Sequence, residues 1–118
     1  MTSSTISVNF NDTAEKTVFT ATEKCILKLS VERNFSATNT AAFKLNSTNI
    51  GEYSSYTGTF KGMSRSLANV LSPIGMSGTS DAGPSALILY LEEGDTVYAT
   101  RTSSNAFTLS LYSAVFTF

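Results

Sequence analysis

The densest group of chemically reactive side chains in this sequence consists of Glu92, Glu93 and Asp95, which surround Gly94. Carboxylate oxygens presented by a turn are the ligands that Ca²⁺ and other hard cations prefer, so one interpretation is a cation-binding loop. The interpretation that we favour is a solvated hairpin turn, whose charges oppose unwanted pairing with other sheets. Glu92 and Glu93 are adjacent and point to opposite sides of an extended chain, so they cannot form the facing acid pair of a glycoside hydrolase.

The side chains on which most enzymes and metal sites depend are scarce. The chain has no histidine, which removes the commonest general base and the commonest metal ligand. A serine nucleophile would then need a neighbouring lysine, and the stretch Ser64-Arg65-Ser66 contains none. Cys25 is the only cysteine, so no intrachain disulfide can form, and its position in an alternating pattern predicts a buried thiol. We therefore predict that the protein is not an enzyme and has no catalytic residue, metal site or cofactor.

Aromatic side chains remain as the candidate binding residues. We single out six of them as candidate contact residues: Phe35, Tyr53, Tyr56, Phe60, Phe116 and Phe118. The group between positions 53 and 60 could form a platform for a sugar or a partner chain, although aromatic residues in strands more often belong to a core. Phe35 lies in a polar loop, where a ring favours a protein contact. Phe116 and Phe118 close the sequence without a polar tail, which predicts a last strand inside a sheet or a subunit contact.

Composition restricts the classes of partner. Charged residues make up only 14% of the 118 positions, against roughly 25% in ordinary soluble domains, and about three residues in ten are Ser or Thr. The net charge of −1 gives little repulsion between copies, which favours an oligomer. The eight Lys and Arg residues are scattered and form no basic stripe, so we predict no nucleic-acid partner. No apolar run approaches the roughly 20 residues of a membrane-spanning helix, so we predict no membrane insertion.

The amino-terminal residues lack the basic and apolar segments of a secretory signal peptide. Three Asn-x-Ser/Thr tripeptides begin at Asn11, Asn34 and Asn46, and without secretion we expect them to be unmodified. Together with the single cysteine, these features predict synthesis and folding in a reducing cytoplasm.

Alternating apolar and polar residues predict strands throughout the chain. The clearest pattern places Cys25, Leu27, Leu29 and Val31 on one face. We predict strands over the following residues: 5–10, 15–21, 25–32, 41–45, 54–61, 86–91, 96–102 and 106–118. Residues 63–71 have helical spacing but could equally form a strand, and 72–84 read as a long loop with a contact function. Seven to nine short strands in one domain, residues 1–118, predict an all-β fold, an antiparallel β-sandwich of jelly-roll-like form.

The run LYLEEGDTVYATRTSSNAFTLSLYSAVF, residues 89–116, resembles the closing hairpins of small jelly-roll modules in the virions of tailed bacteriophages. The matching positions are Leu91, Gly94, Asp95, Val97 and the Asn105-Ala106 turn. The same features are similar to the trimeric tumour-necrosis-factor-like and complement-like jelly rolls, and residues 18–45 resemble the early strands of the phage modules. The resemblance implies a homotrimer that decorates a capsid or forms part of a tail or fibre, and it supplies no functional residues.

Our leading hypothesis is therefore a non-enzymatic structural protein of a bacteriophage virion, a trimeric decoration or cement protein that binds itself and the major capsid protein. We expect it in the virion after synthesis in the host cytoplasm. The alternative is a tail or fibre module that binds a host-surface receptor or glycan through the region 53–60 or the loop 72–84. A lyase or hydrolase that uses carboxylates and tyrosine is disfavoured, because histidine is absent and acids are few.

Overall fold

The computed structural model describes residues 2–31, 39–55, 59–61 and 86–118. Phe35, Tyr56 and the predictions for residues 63–71 and 72–84 lie outside these ranges. The regular structure of the described residues consists of nine strands: β1 (Thr2–Phe10), β2 (Lys16–Thr20), β3 (Cys25–Val31), β4 (Thr40–Leu45), β5 (Thr48–Ser54), β6 (Thr59–Lys61), β7 (Ala86–Leu91), β8 (Thr96–Arg101) and β9 (Phe107–Thr117).

The strands form two antiparallel sheets, one of four strands in the order β1-β9-β3-β7 and one of five in the order β2-β8-β4-β5-β6. β1 pairs with β9, β2 with β8, β3 with β7 and β4 with β5, which is the nested pairing of one long hairpin. That hairpin is rolled up, so that β9 also pairs with β3 and β8 with β4. This wrapping defines a jelly roll, with β6 added at the free edge of β5. The predicted fold class is confirmed.

The core between the two sheets consists of the side chains that face inward from strands with alternating apolar and polar residues. Leu27 and Leu29 of β3 are fully buried, and the inward face of β4 contributes Ala41, Phe43 and Leu45. Cys25 lies on the same inward face and is buried, as its position in the pattern predicts. Removal of these side chains from water supplies the main favourable term in folding. Lysine, serine and threonine occupy most of the alternate positions of these two strands and keep their hydration.

The region of β5 and β6 differs from the sequence prediction. A single strand over residues 54–61 is wrong, because β5 ends at Ser54 and β6 begins at Thr59. The register between β4 and β5 shifts after Phe43, so that Ile50 and Gly51 of β5 are both buried. Such a bulge breaks the alternation by which a strand is recognised in a sequence. Asn46 takes a positive φ of 55° in the turn before β5, a conformation that asparagine tolerates well.

Candidate functional site

The aromatic residues that we singled out divide between the core and the surface. Tyr53 and Phe60 are 0% and 1% exposed, so neither can present a ring to a ligand or partner on the surface of this fold. They face each other across β5 and β6, with ring centroids 5.5 Å apart, and Phe60 also packs edge-on against Phe43. The prediction of a surface platform is therefore wrong for these two residues. Their rings lie in the apolar layer between the sheets.

Phe116 and Phe118 lie on the surface, at 44% and 74% exposure, and Tyr112 of the same strand is 50% exposed. In β9 the inward positions are Leu109, Leu111 and Ser113, so Tyr112 and Phe116 point away from the core. The prediction that β9 lies inside a sheet is confirmed, since it pairs with β1 on one side and β3 on the other. A subunit contact at this strand stays a prediction.

Strand register brings further apolar side chains beside these rings. Ile26 of β3 lies opposite Phe116 of β9 on one side and opposite Tyr90 of β7 on the other. Ile88 of β7 follows on the same outward face, and all three added residues are partly exposed. We call this surface the aromatic face and define it by six residues: Ile26, Ile88, Tyr90, Tyr112, Phe116 and Phe118.

Two lysines give the aromatic face a positive charge. The Nζ of Lys24 lies 5.6 Å from the centroid of the Tyr90 ring and 5.5 Å from that of Phe118, within the range of cation–π attraction. A hydrogen bond with the Tyr90 side chain, with added attraction to Glu92, holds the pKa of Lys24 above its usual value, so this lysine is charged at neutral pH. Lys28 is exposed in the middle of the face, between Ala114 and Ile88.

The acidic cluster forms the predicted hairpin turn between β7 and β8. Asp95 accepts hydrogen bonds through both carboxylate oxygens, from the backbone N–H of Glu92 at 2.9 Å and from the side-chain amide of Asn46 at 3.1 Å. Gly94 adopts a φ of 92° and donates its N–H to the carbonyl of Ala21 at 2.8 Å, which ties this turn to the β2–β3 connection. The carboxylate of Asp95 therefore has a structural role in this turn.

The described residues contain no group of three or more side chains that could hold a metal ion. Glu92 and Glu93 are exposed to solvent on the turn. The interpretation of this turn as a cation-binding loop therefore receives no support from the geometry of the described residues.

Sequence reasoning identified Phe116 and Phe118 but missed the other four members of the aromatic face. Tyr112 carried a signal, because it stands at an outward position of an alternating strand. Ile26, Ile88 and Tyr90 belong to strands far apart in the sequence, and only the register places them in neighbouring positions.

Among the residues described, no helix is long and apolar enough to span a membrane. Comparisons of the chain with protein-family models, curated proteins and solved structures find no match. The resemblance to phage and tumour-necrosis-factor-like modules therefore stays an expectation from the sequence.

Proposed function

We propose that this protein is a non-enzymatic structural protein of a bacteriophage virion, which forms a homotrimer through the aromatic face and decorates the capsid. The observation that carries the proposal is the set of three exposed rings, Tyr112, Phe116 and Phe118, on one side of the four-stranded sheet. Contiguous exposed apolar side chains favour a binding surface, because water is released when a partner covers them.

The size of this surface suits association between copies. Phe and Tyr side chains bury roughly 150–250 Å² each, so the three rings at 50%, 44% and 74% exposure present roughly 300 Å². Patches of roughly 300–600 Å² are the largest on typical monomers and are often functional. Covering this area would contribute about 7 kcal/mol at 25 cal/mol per Å², which is comparable to the lower estimates of the entropy cost of association.

The charges on the face favour a ring over a two-fold dimer. A two-fold contact places the same patch of both copies together, so the exposed Lys28 at the middle of the face would meet its own copy. Like charges brought together in an interface oppose association. In a closed ring of three, each aromatic face meets a different surface of the next subunit, and this repulsion does not arise.

Decoration of a capsid is supported by the resemblance of residues 89–116 to phage modules and by the jelly-roll wrapping of the strands. Jelly rolls occur in viral capsid and lectin domains, among others, so the fold is compatible with the proposal without requiring it. The tail or fibre alternative relied in part on Tyr53, which is buried in the core.

Co-sedimentation with empty phage heads tests this function. We expect the wild-type protein to sediment with the heads of the phage that carries its gene, and Phe116→Ser to bind at least about tenfold more weakly, because loss of the trimer removes avidity. Ser110→Ala, on the outward side of the same strand but outside the aromatic face, is the matched control and should bind like the wild type. Failure of the wild-type protein to bind any of these heads would overturn the role in decoration.

A further inference from the structure

We propose that Lys24 positions two rings of the aromatic face, those of Tyr90 and Phe118, for contact with the next copy of the chain, an inference that rests on the proposed function. Tyr90 stands between the buried residues Leu89 and Leu91 of β7, so its ring points outward from the four-stranded sheet. The ammonium group of Lys24 lies within cation–π distance of both rings. This lysine is therefore part of the same surface as the rings.

The ring of Phe118 receives little support from the strand that precedes it. β9 ends at Thr117, which pairs with Cys25 of β3, so Phe118 lies one position beyond the last paired residue. Its side chain is 74% exposed, and its ring lies 6.0 Å from that of Tyr90 between centroids, at an interplanar angle of 48°. An exposed ring can occupy several rotamers, and a partner that covers it must then select one of them at a cost in entropy.

The backbone beside Lys24 is fixed by the residue that follows it. Cys25 is buried and pairs with Leu91 on one side and with Thr117 on the other, so two neighbouring strands hold the start of β3. Lys24 comes immediately before this residue, and its side chain reaches the outward side of the sheet, where the two rings lie. The lysine side chain therefore starts from a rigid point between the ends of β7 and β9.

One ammonium group attracts both rings at nearly the same distance. Lys24 Nζ lies 5.6 Å from the centroid of Tyr90 and 5.5 Å from that of Phe118, and cation–π attraction extends to about 6 Å. The hydrogen bond between Lys24 and the Tyr90 side chain holds the lysine on the sheet side of this contact. Because Tyr90 belongs to β7 and Phe118 follows β9, the lysine links the loosely held ring to a ring on a paired strand.

The contact distinguishes Lys24 from the other lysine of this surface. Lys28 lies on β3 and is exposed on the same outward side, yet within the described residues no ring lies in cation–π range of its ammonium group. Lys28 therefore adds charge to the surface without ordering a ring. A ring that is ordered before binding loses less conformational entropy when the next copy covers it, so the cation at position 24 favours association.

The expected effect of losing this cation is modest at one contact and larger in a ring. An exposed cation–π contact, or the ordering of one side chain, changes an equilibrium constant by about two- to fivefold. A closed ring of three contains three such contacts, and their losses multiply. A loss of about fivefold at each contact raises the concentration at which half of the trimer dissociates by about tenfold, because that concentration varies as the square root of the dissociation constant of a trimer.

Sedimentation equilibrium over a concentration series tests this inference with Lys24→Met, which keeps an unbranched apolar side chain and removes the charge. We expect the variant to need an about tenfold higher concentration than the wild type for the same fraction of trimer. Lys24→Arg should restore wild-type association, because a guanidinium group also stacks on aromatic rings. NMR relaxation gives the second readout: the backbone order parameter of Phe118 should fall in Lys24→Met and recover in Lys24→Arg.

Lys44→Met is the matched control, because Lys44 lies on the five-stranded sheet in a partly exposed ion pair with Glu15, 3.7 Å between Nζ and Oε2. It removes the same charge and should behave like the wild type in both measurements. Lys24 is exposed, so its replacement leaves the core intact. Equally stable trimers of Lys24→Met and Lys44→Met, an unchanged order parameter of Phe118 in Lys24→Met, or failure of Lys24→Arg to restore association would each overturn this inference alone. A wild type that stays monomeric would overturn the proposed function and this inference together.

Discussion

Tyr53 carries a polar group into the middle of an apolar core. Its side chain is fully buried against Phe60, and within the described residues its hydroxyl has no hydrogen-bond partner. A buried hydroxyl without a partner loses its bonds to water and gains none from the protein. Burial also raises the pKa of Tyr53, because the charged phenolate is disfavoured away from solvent.

We therefore expect Tyr53→Phe to raise the free energy of unfolding by about 1 kcal/mol at neutral pH. The folded wild type keeps the phenol proton at a pH where the unfolded chain releases it, so this titration leaves wild-type stability unchanged below the unfolded pKa of about 10 and lowers it as pH rises further. Above that pH, wild-type stability should fall more steeply than that of the variant. Urea denaturation at several pH values measures both effects.

Tyr98→Phe is the control for that series, since Tyr98 is a partly exposed tyrosine on the outward side of β8. It should leave stability at neutral pH unchanged. A marked loss of stability in Tyr53→Phe would contradict the account, because it would show that the hydroxyl is paired.

At the scale of single elements, the acidic β7–β8 turn is joined by hydrogen bonds to a neighbouring turn of the sandwich. Asp95 holds the turn internally through Glu92 and links it to the β4–β5 turn through Asn46. Asn46 in turn accepts the backbone N–H of Thr96 at 3.1 Å, so two turns from different parts of the sequence share one hydrogen-bond network. The carboxylate of Asp95 therefore takes part in hydrogen bonds that stabilise the fold.

Asp95→Ala should lower the free energy of unfolding by about 2 kcal/mol, because it removes both bonds that the carboxylate accepts. Glu93→Ala removes a carboxylate from the same turn, but Glu93 is exposed and makes no hydrogen bond among the described residues. That control should stay within about 0.5 kcal/mol of the wild type. Equal effects of the two changes in urea denaturation would show that charge alone, and no specific network, stabilises this turn.

The elements that could be predicted from the sequence are the strands with one solvent-exposed face and one buried face. In β3 buried residues alternate with more exposed ones from Cys25 to Leu29, so both the position of the strand and its inward side chains could be predicted from the sequence. β5 is different, because a bulge buries the consecutive residues Ile50 and Gly51, and alternation is lost where the strand is irregular. Local pattern therefore predicts regular strands and fails where the partner strand alters the register.

At the scale of the whole molecule, the candidate surfaces depend on pairing between distant segments. Phe116 could be singled out from the sequence because of its place in the last strand, but its neighbours Ile26 and Tyr90 come from β3 and β7. Such surfaces arise only once strands far apart in the chain are placed side by side, so they could not be read from local composition.

The aromatic face would be covered when copies associate under our proposed function. The low net charge suits this association, since little electrostatic repulsion opposes contact between copies.

Sedimentation equilibrium of the wild-type protein and of Phe116→Ser is the most direct test of self-association through the aromatic face. We expect the wild type to have three times the 12.6 kDa mass of one chain, and Phe116→Ser to have the mass of a single chain with its fold unchanged. A wild-type protein that stays monomeric over the accessible concentration range, or a variant that remains a full trimer, would contradict the account.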